Sequence, residues 1–149
     1  MYLNNFQTFA FGSILIFILC FAACEKSTIT PDALSFGEKA VLKPNEATYF
    51  GSTPENAFKL TIQEISDSRC PEGVNCVWAG EAVVKLSIKN LTDSVAFALK
   101  ISPSKNSLPD TLDFNIEKQT YRAILYGVNP YPEIKNKESS IATVTLLKK

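Results

Sequence analysis

Histidine is absent from all 149 residues. That absence removes Ser-His-Asp and Cys-His nucleophile systems, imidazole general bases and every His-ligated zinc or iron site. A charge excess is lacking too, since fifteen Lys and Arg balance fifteen Asp and Glu. Without a field of one sign, no nucleic-acid partner is expected. The six glycines form no phosphate-cradling loop, and no cofactor or metal is expected. Long apolar runs are missing as well. The longest charge-free one, Phe9 to Ala23, falls short of the roughly 20 residues that span a bilayer as a helix.

What that run does have is a sharp end. Ala22 and Ala23 stand directly before Cys24, and polar sequence follows at once as Glu25-Lys26-Ser27. Small residues before a cysteine are what a lipoprotein signal peptidase accepts. Residues 1–23 therefore read as a lipoprotein signal peptide, and Cys24 as the lipidation site. The acyl chains, palmitate among them, would tie the mature chain to a lipid bilayer. Two features depart from the usual pattern. Phe21 occupies a position where a smaller aliphatic residue is common, and no Lys or Arg precedes the apolar run. An uncleaved membrane anchor is the alternative, and it too places the globular part outside the cytosol. The expected location is the bacterial cell envelope and, since no aspartate stands immediately after Cys24, the outer membrane facing the periplasm.

Residues 24–35, with Thr28, Thr30 and Pro31, read as the lipidated N-terminus and a tether. The remainder, 36–149, suits a single β domain. Period-two alternation predicts strands over Phe36–Lys43, Glu46–Phe50 and Phe58–Ile62, with a bulge near Glu64 where Ile65 falls out of phase. Ala82, Val84, Leu86 and Ile88 share one face of the next run, and Val95, Phe97, Leu99 and Ile101 return on the same period. The Asn90-Leu-Thr-Asp93 turn between them completes a hairpin. Weaker runs follow over Asp110–Ile116, Thr120–Val128 and Ile141–Leu147. Seven to eight short strands without an amphipathic helix predict an all-β fold, an antiparallel β-sandwich or a partly closed barrel.

Two cysteines remain once Cys24 is acylated and Cys20 is lost with the signal. Cys70 and Cys76 enclose Pro71 and Gly73 in an exported chain, which predicts a disulfide. Their five intervening residues lie between strands, whereas redox pairs favour two at a helix start. The segment Asp67-Ser68-Arg69-Cys70-Pro71…Cys76-Val77-Trp78-Ala79-Gly80-Glu81-Ala82 resembles the signature of a family of small exported bacterial proteins, many of them lipoproteins. Pro130-Tyr131-Pro132 and a final strand extend the similarity from about Phe36 onward. The resemblance implies an exported location and this fold, not a chemistry.

Asp67 and Arg69 share one strand face, where they can pair with each other, with Glu72 or with Glu81. One reading makes these charges supports of a tight loop while Trp78 packs over the disulfide. The other makes Asp67, Arg69, Trp78 and Glu81 a ligand-binding pocket, with Tyr121, Tyr126 and Tyr131 as neighbours. No catalytic residue is assigned; Asp110 and Asp113 could form a carboxylate pair, but a loop edge gives no reason for a raised pKa. The expected function is a non-enzymatic binding or structural module, touching another envelope protein or a small ligand. The alternatives are a protease-inhibitor-like loop, presenting Arg69-Cys70-Pro71, and an enzyme using the thiol pair or carboxylates.

Overall fold

The computed structural model describes residues 33–53, 57–103, 108–134 and 138–149. The segment read as a signal peptide, Cys24 and the expected tether through residue 32 lie outside the described residues. Eight strands follow in order: β1 (Ala40–Leu42), β2 (Ala47–Phe50), β3 (Phe58–Asp67), β4 (Ala82–Lys89), β5 (Ser94–Ile101), β6 (Asp110–Ile116), β7 (Gln119–Asn129) and β8 (Ile141–Lys148). They form two four-stranded sheets, ordered β2-β3-β4-β5 and β1-β8-β7-β6, with every named pair antiparallel. The sheets pack face to face as a sandwich and do not close into a barrel. Among the described residues there is no helix.

The alternation read from the sequence is the packing pattern. Ala82, Val84, Leu86 and Ile88 are fully buried, and Leu99 and Ile101 meet them from β5. Leu125, Val144 and Leu146 close the core from the opposite sheet. The expected bulge lies in β3, where the pairing with β4 shifts between Ile62 and Glu64. A second bulge, between Leu125 and Gly127 of β7, returns Val128 to the core.

The first strand is shorter than its periodicity predicts. Phe36 and Gly37 turn instead of extending, with Gly37 at φ 99°. The turn carries the Phe36 ring to within 5.9 Å of Phe58 and 5.7 Å of Tyr121. Phe114 continues this aromatic cluster, 5.8 Å from Tyr121 and 5.5 Å from Phe97. Edge-to-face and tilted contacts at such spacings add to area burial.

Phe97 is half-buried rather than enclosed, since β5 is an edge strand. A fully buried Phe→Ala change costs about 3–5 kcal/mol; Phe97→Ala is expected to lose about 2 kcal/mol in urea unfolding, by area burial. A loss inside the surface range of about 0.5 kcal/mol would mean that the Phe114 contact contributes nothing.

The two ends of the sandwich differ. At one end Leu34 bridges to Phe50, its N–H donating to the Tyr49 carbonyl at 2.7 Å. The described chain begins there, at what we call the N-terminal pole. The β4–β5 and β6–β7 turns share this pole. Asn90 is buried, and its Oδ1 accepts from the N–H groups of Thr92 (3.0 Å) and Asp93 (2.7 Å). Its Nδ2 donates to Glu117 at 2.8 Å. Asn90 thus caps the β4–β5 turn. Opposite lies the pole where β3 ends, β4 begins and the cysteine loop projects.

Candidate functional site

The cysteine loop stands on a continuation of the β3–β4 ladder. The Ser68 N–H donates to Glu81 O at 2.9 Å, and Cys70 N–H to Ala79 O at 2.9 Å. Ser68 Oγ donates to Glu81 O at 2.8 Å and accepts from the Glu81 N–H at 3.2 Å. Gly80 sits inside this frame at φ +71°, pressed against the Ser68 backbone. Beyond the frame, Cys70 and Cys76 form the expected disulfide.

Arg69 is the hub of the pole and only 5% exposed. Its Nε donates to Asp67 Oδ1 at 2.8 Å and one terminal nitrogen to Asp67 Oδ2 at 2.5 Å. The same nitrogen reaches the carbonyls of Val128 at 2.9 Å and Pro130 at 3.4 Å. The guanidinium also lies over the Tyr131 ring, 4.6 Å from its centroid, a cation–π contact. Asp67 and Arg69 pair with each other, one of the options the sequence left open.

Tyr131 carries the linkage onward, its hydroxyl donating to the Pro103 carbonyl at 2.5 Å. The Glu72 N–H donates to Pro132 O at 3.0 Å, setting Glu72 and Glu133 opposite each other in a short parallel bridge. The cysteine loop, the Pro130-Tyr131-Pro132 segment and the β5–β6 loop are thereby joined.

These contacts leave a cleft of about 470 Å³, lined by Arg69, Glu72, Tyr126, Gly127, Tyr131 and Glu133 among others. Of the four residues expected to form a pocket, Arg69 alone lines this cleft. Asp67 acts through Arg69. Glu81 pairs with Lys100 at 2.9 Å on the exposed sheet surface. Trp78 is 69% exposed, too open for an indole packed over the disulfide. Tyr131 and Tyr126 border the cleft as anticipated, but Tyr121 belongs to the aromatic core. Glu72, Gly127 and Glu133 carry no sequence signal that marks them as lining residues.

Asp113 and Asp110 are each held in contacts of their own. Hydrogen bonds from Arg122 and Lys149 hold Asp113 well below the usual carboxylate range, with their charges adding to the effect. It stays ionised and cannot serve as a general acid at neutral pH. Asp110 accepts from the Lys100 N–H at 2.7 Å. Among the described residues, no group of three His, Cys, Asp or Glu could hold a metal ion. No protein-family model, curated protein or solved structure matches the chain.

Because the Ser68–Glu81 frame and Arg69 anchor the loop independently of the sulfurs, the disulfide adds to a base already formed. Replacing both Cys70 and Cys76 by Ser is expected to cost about 2 kcal/mol, the chain-entropy value for a ring of about seven residues. The fold should persist, which urea unfolding beside far-UV circular dichroism would read. Collapse of the fold would mean that the frame depends on the bond.

Proposed function

We propose that the protein is a membrane-anchored, non-enzymatic binding module of the bacterial cell envelope. It is acylated at Cys24 and works through its cysteine-loop pole. The observation that carries this reading is a locked pole with apolar side chains left outside. Val74, Val77, Trp78, Leu108 and Ile134 are exposed there, Val77 at 109%. They are five of the seven large hydrophobic residues exposed among the described residues. Groups ordered before association lower the entropy cost of binding, and Trp is enriched among residues that dominate interfaces.

Position supports the same reading. Residues 24–32, nine in all, lead from Cys24 to the N-terminal pole. Such a tether reaches at most about 30 Å. β7 runs between the poles, and its eleven residues at about 3.3 Å per residue span a length comparable to that reach. An acyl anchor at Cys24 would keep the N-terminal pole towards its bilayer and present the cysteine loop away from it. The partner is then an envelope component beyond the anchoring membrane, and we place the anchor in the outer membrane with the loop facing the periplasm.

Burial of Arg69 weighs against the protease-inhibitor alternative, because a side chain 5% exposed offers nothing to a specificity pocket. The thiol-enzyme alternative requires an easily reduced bond, which thiol titration of the exported protein would reveal. Two measurements test the main reading. Cys24→Ser should leave an unprocessed precursor and abolish acyl labelling; normal labelling would remove the anchor. A photo-crosslinking residue at position 78 in intact cells should give a discrete adduct that the same group at Leu91, on the opposite pole, does not. Equal adducts at both positions, or none at position 78, would remove the docking role.

A further inference from the structure

The two sheets leave four edge strands, β2 and β5 on one and β1 and β6 on the other. An edge carries unpaired N–H and C=O groups, and folded proteins blunt it with charge, proline, a bulge, brevity or a covering segment. Among the described residues, three of the four edges are blunted. β1 has three residues. β2 is covered by Leu34, whose N–H donates to Tyr49 O at 2.7 Å and whose carbonyl accepts from the Gly51 N–H at 2.9 Å. β6 carries the charges of Asp110 and Asp113. β5 differs. It runs eight residues beside β4 without a register shift, and it holds no proline and one charge, Lys100.

The turn before β5 sets the phase of its ladder, because the Asn90 N–H donates to Asp93 O. In an antiparallel pair, bonded and non-bonded positions alternate. Val95, Phe97, Leu99 and Ile101 therefore exchange bonds with β4, while Ser94, Ala96, Ala98 and Lys100 turn theirs outward. In agreement with that phase, the Ser94 N–H donates to Asp93 Oδ1 at 2.8 Å and the Lys100 N–H to Asp110 Oδ2 at 2.7 Å. Carboxylates thus close the two end positions. Ala96 and Ala98 stand between them with exposed methyl side chains, and among the described residues no strand pairs with that side. The inward face is unfinished at the same place. Leu99 and Ile101 are buried, whereas Val95 and Phe97 are only half-buried.

A row of alternating N–H and C=O groups is matched by another backbone, so the occupant is an extended polypeptide. Its inward side chain would lie beside Val95 and Phe97, which calls for an apolar residue. The Asp93 and Asp110 carboxylates at the two ends disfavour an acidic segment. A second copy of this chain does not suit the edge. Antiparallel pairing of two β5 strands would set the N-terminal poles at opposite ends, so two copies on nine-residue tethers could not both hold that pole at one bilayer. A two-fold that pairs them parallel would turn their inward faces to opposite sides. We propose that β5 accepts an added strand from another envelope polypeptide, a short non-acidic segment that alternates apolar and polar residues and bonds to Ala96 and Ala98. Excluding a second copy rests on the Cys24 anchor proposed above; the open edge does not.

Nuclear magnetic resonance of the isotope-labelled full chain in detergent tests the site, with the end-capped pentapeptide Thr-Phe-Thr-Val-Thr as probe. The amide signals of Ala96 and Ala98 should shift saturably, with a dissociation constant of about a millimolar, the scale open to a few hydrogen bonds and one apolar contact. The same peptide N-methylated at its threonines keeps its side chains and loses the donors that face β5. It should bind about tenfold more weakly or not at all. Ala98→Pro removes an outward N–H that β4 does not use, a position where an edge strand tolerates proline. Binding read at Ala96 should be lost in that variant while it unfolds at the parent temperature. If the variant unfolds early, the N-methylated peptide against the parent chain decides. No saturable shift, equal binding of the N-methylated peptide, or binding retained in folded Ala98→Pro would overturn the proposal. Shifts of the same two amides on concentrating the chain alone would show that a second copy takes the edge, and would overturn the partner. The crosslinking test at position 78 does not involve β5, so the docking reading and this one can fail separately.

Discussion

Gly80→Ala is expected to destabilise the domain by about 3–5 kcal/mol, well beyond an ordinary substitution. A Cβ at this position would lie 1.8 Å from the Ser68 carbonyl oxygen, 2.5 Å from its carbon and 2.9 Å from Arg69 Cα. All three atoms are backbone, so no flexible side chain can yield. Relief requires residues 68–70 to move away from 79–81, which gives up the Ser68–Glu81 and Cys70–Ala79 hydrogen bonds. Each is worth about 1 kcal/mol net, and the left-handed backbone adds about 1–2 kcal/mol for a residue with a side chain. Gly73 provides the control. Its φ is +74°, nearly the same, but nothing lies within 4 Å of its would-be Cβ. Gly73→Ala should therefore lose the conformational part alone, about 1 kcal/mol. Chemical denaturation of the two variants side by side separates collision from conformation. Equal losses would show that close approach at Gly80 does not matter.

The strands that sequence reasoning located are those whose signal is local. β4 and β5 alternate without interruption, and each inward residue of β4 is buried. The β6–β7 hairpin is less visible because its turn is written in the wrong residues. Glu117 and Lys118 adopt φ values of 52° and 64°, a conformation for which Asn-Gly is the usual signal. Tertiary contacts hold it there, since Asn90 and Thr92 donate to Glu117 from the neighbouring turn. Phe36 misleads for a similar reason: its alternation fits a strand, but the ring finds better burial in the cluster with Phe58 and Tyr121. Of the site, the disulfide is short-range and legible, while the Asp67–Arg69 pair is one of three pairings the sequence allows. The cleft is not, because Glu72 and Glu133 meet only through the docking of two loops 61 residues apart. Trp78 is exposed, and no residue spacing encodes the direction in which the loop projects.

Arg69→Met is expected to cost about 3–5 kcal/mol, the range for removing one member of a buried ion pair. The loss is larger than the pair's net contribution, because the substitution strands its partners. Asp67, its side chain 9% exposed, would keep a charge with no counter-ion, and Val128 O would lose its donor. A buried polar group left without a partner costs about 1–3 kcal/mol by itself. Lys cannot substitute, since one ammonium does not reproduce the two-point contact with Asp67 or lie flat on Tyr131. Adding Asp67→Leu to Arg69→Met removes the stranded charge, so the double variant should be more stable than Arg69→Met alone. The coupling expected for groups in one network is about 1–3 kcal/mol. Denaturation of the parent, both single variants and the double variant closes the cycle. Additive losses would mean that Asp67 and Arg69 act independently, and that the pole is held by its backbone frame alone. Full coupling would identify this ion pair as the link through which the cysteine loop and the Pro130-Tyr131-Pro132 segment hold one another in place. In that case Arg69→Met should also weaken crosslinking at position 78, nine residues away in sequence, while Cys70→Ser with Cys76→Ser, which spares the hub, should weaken it less.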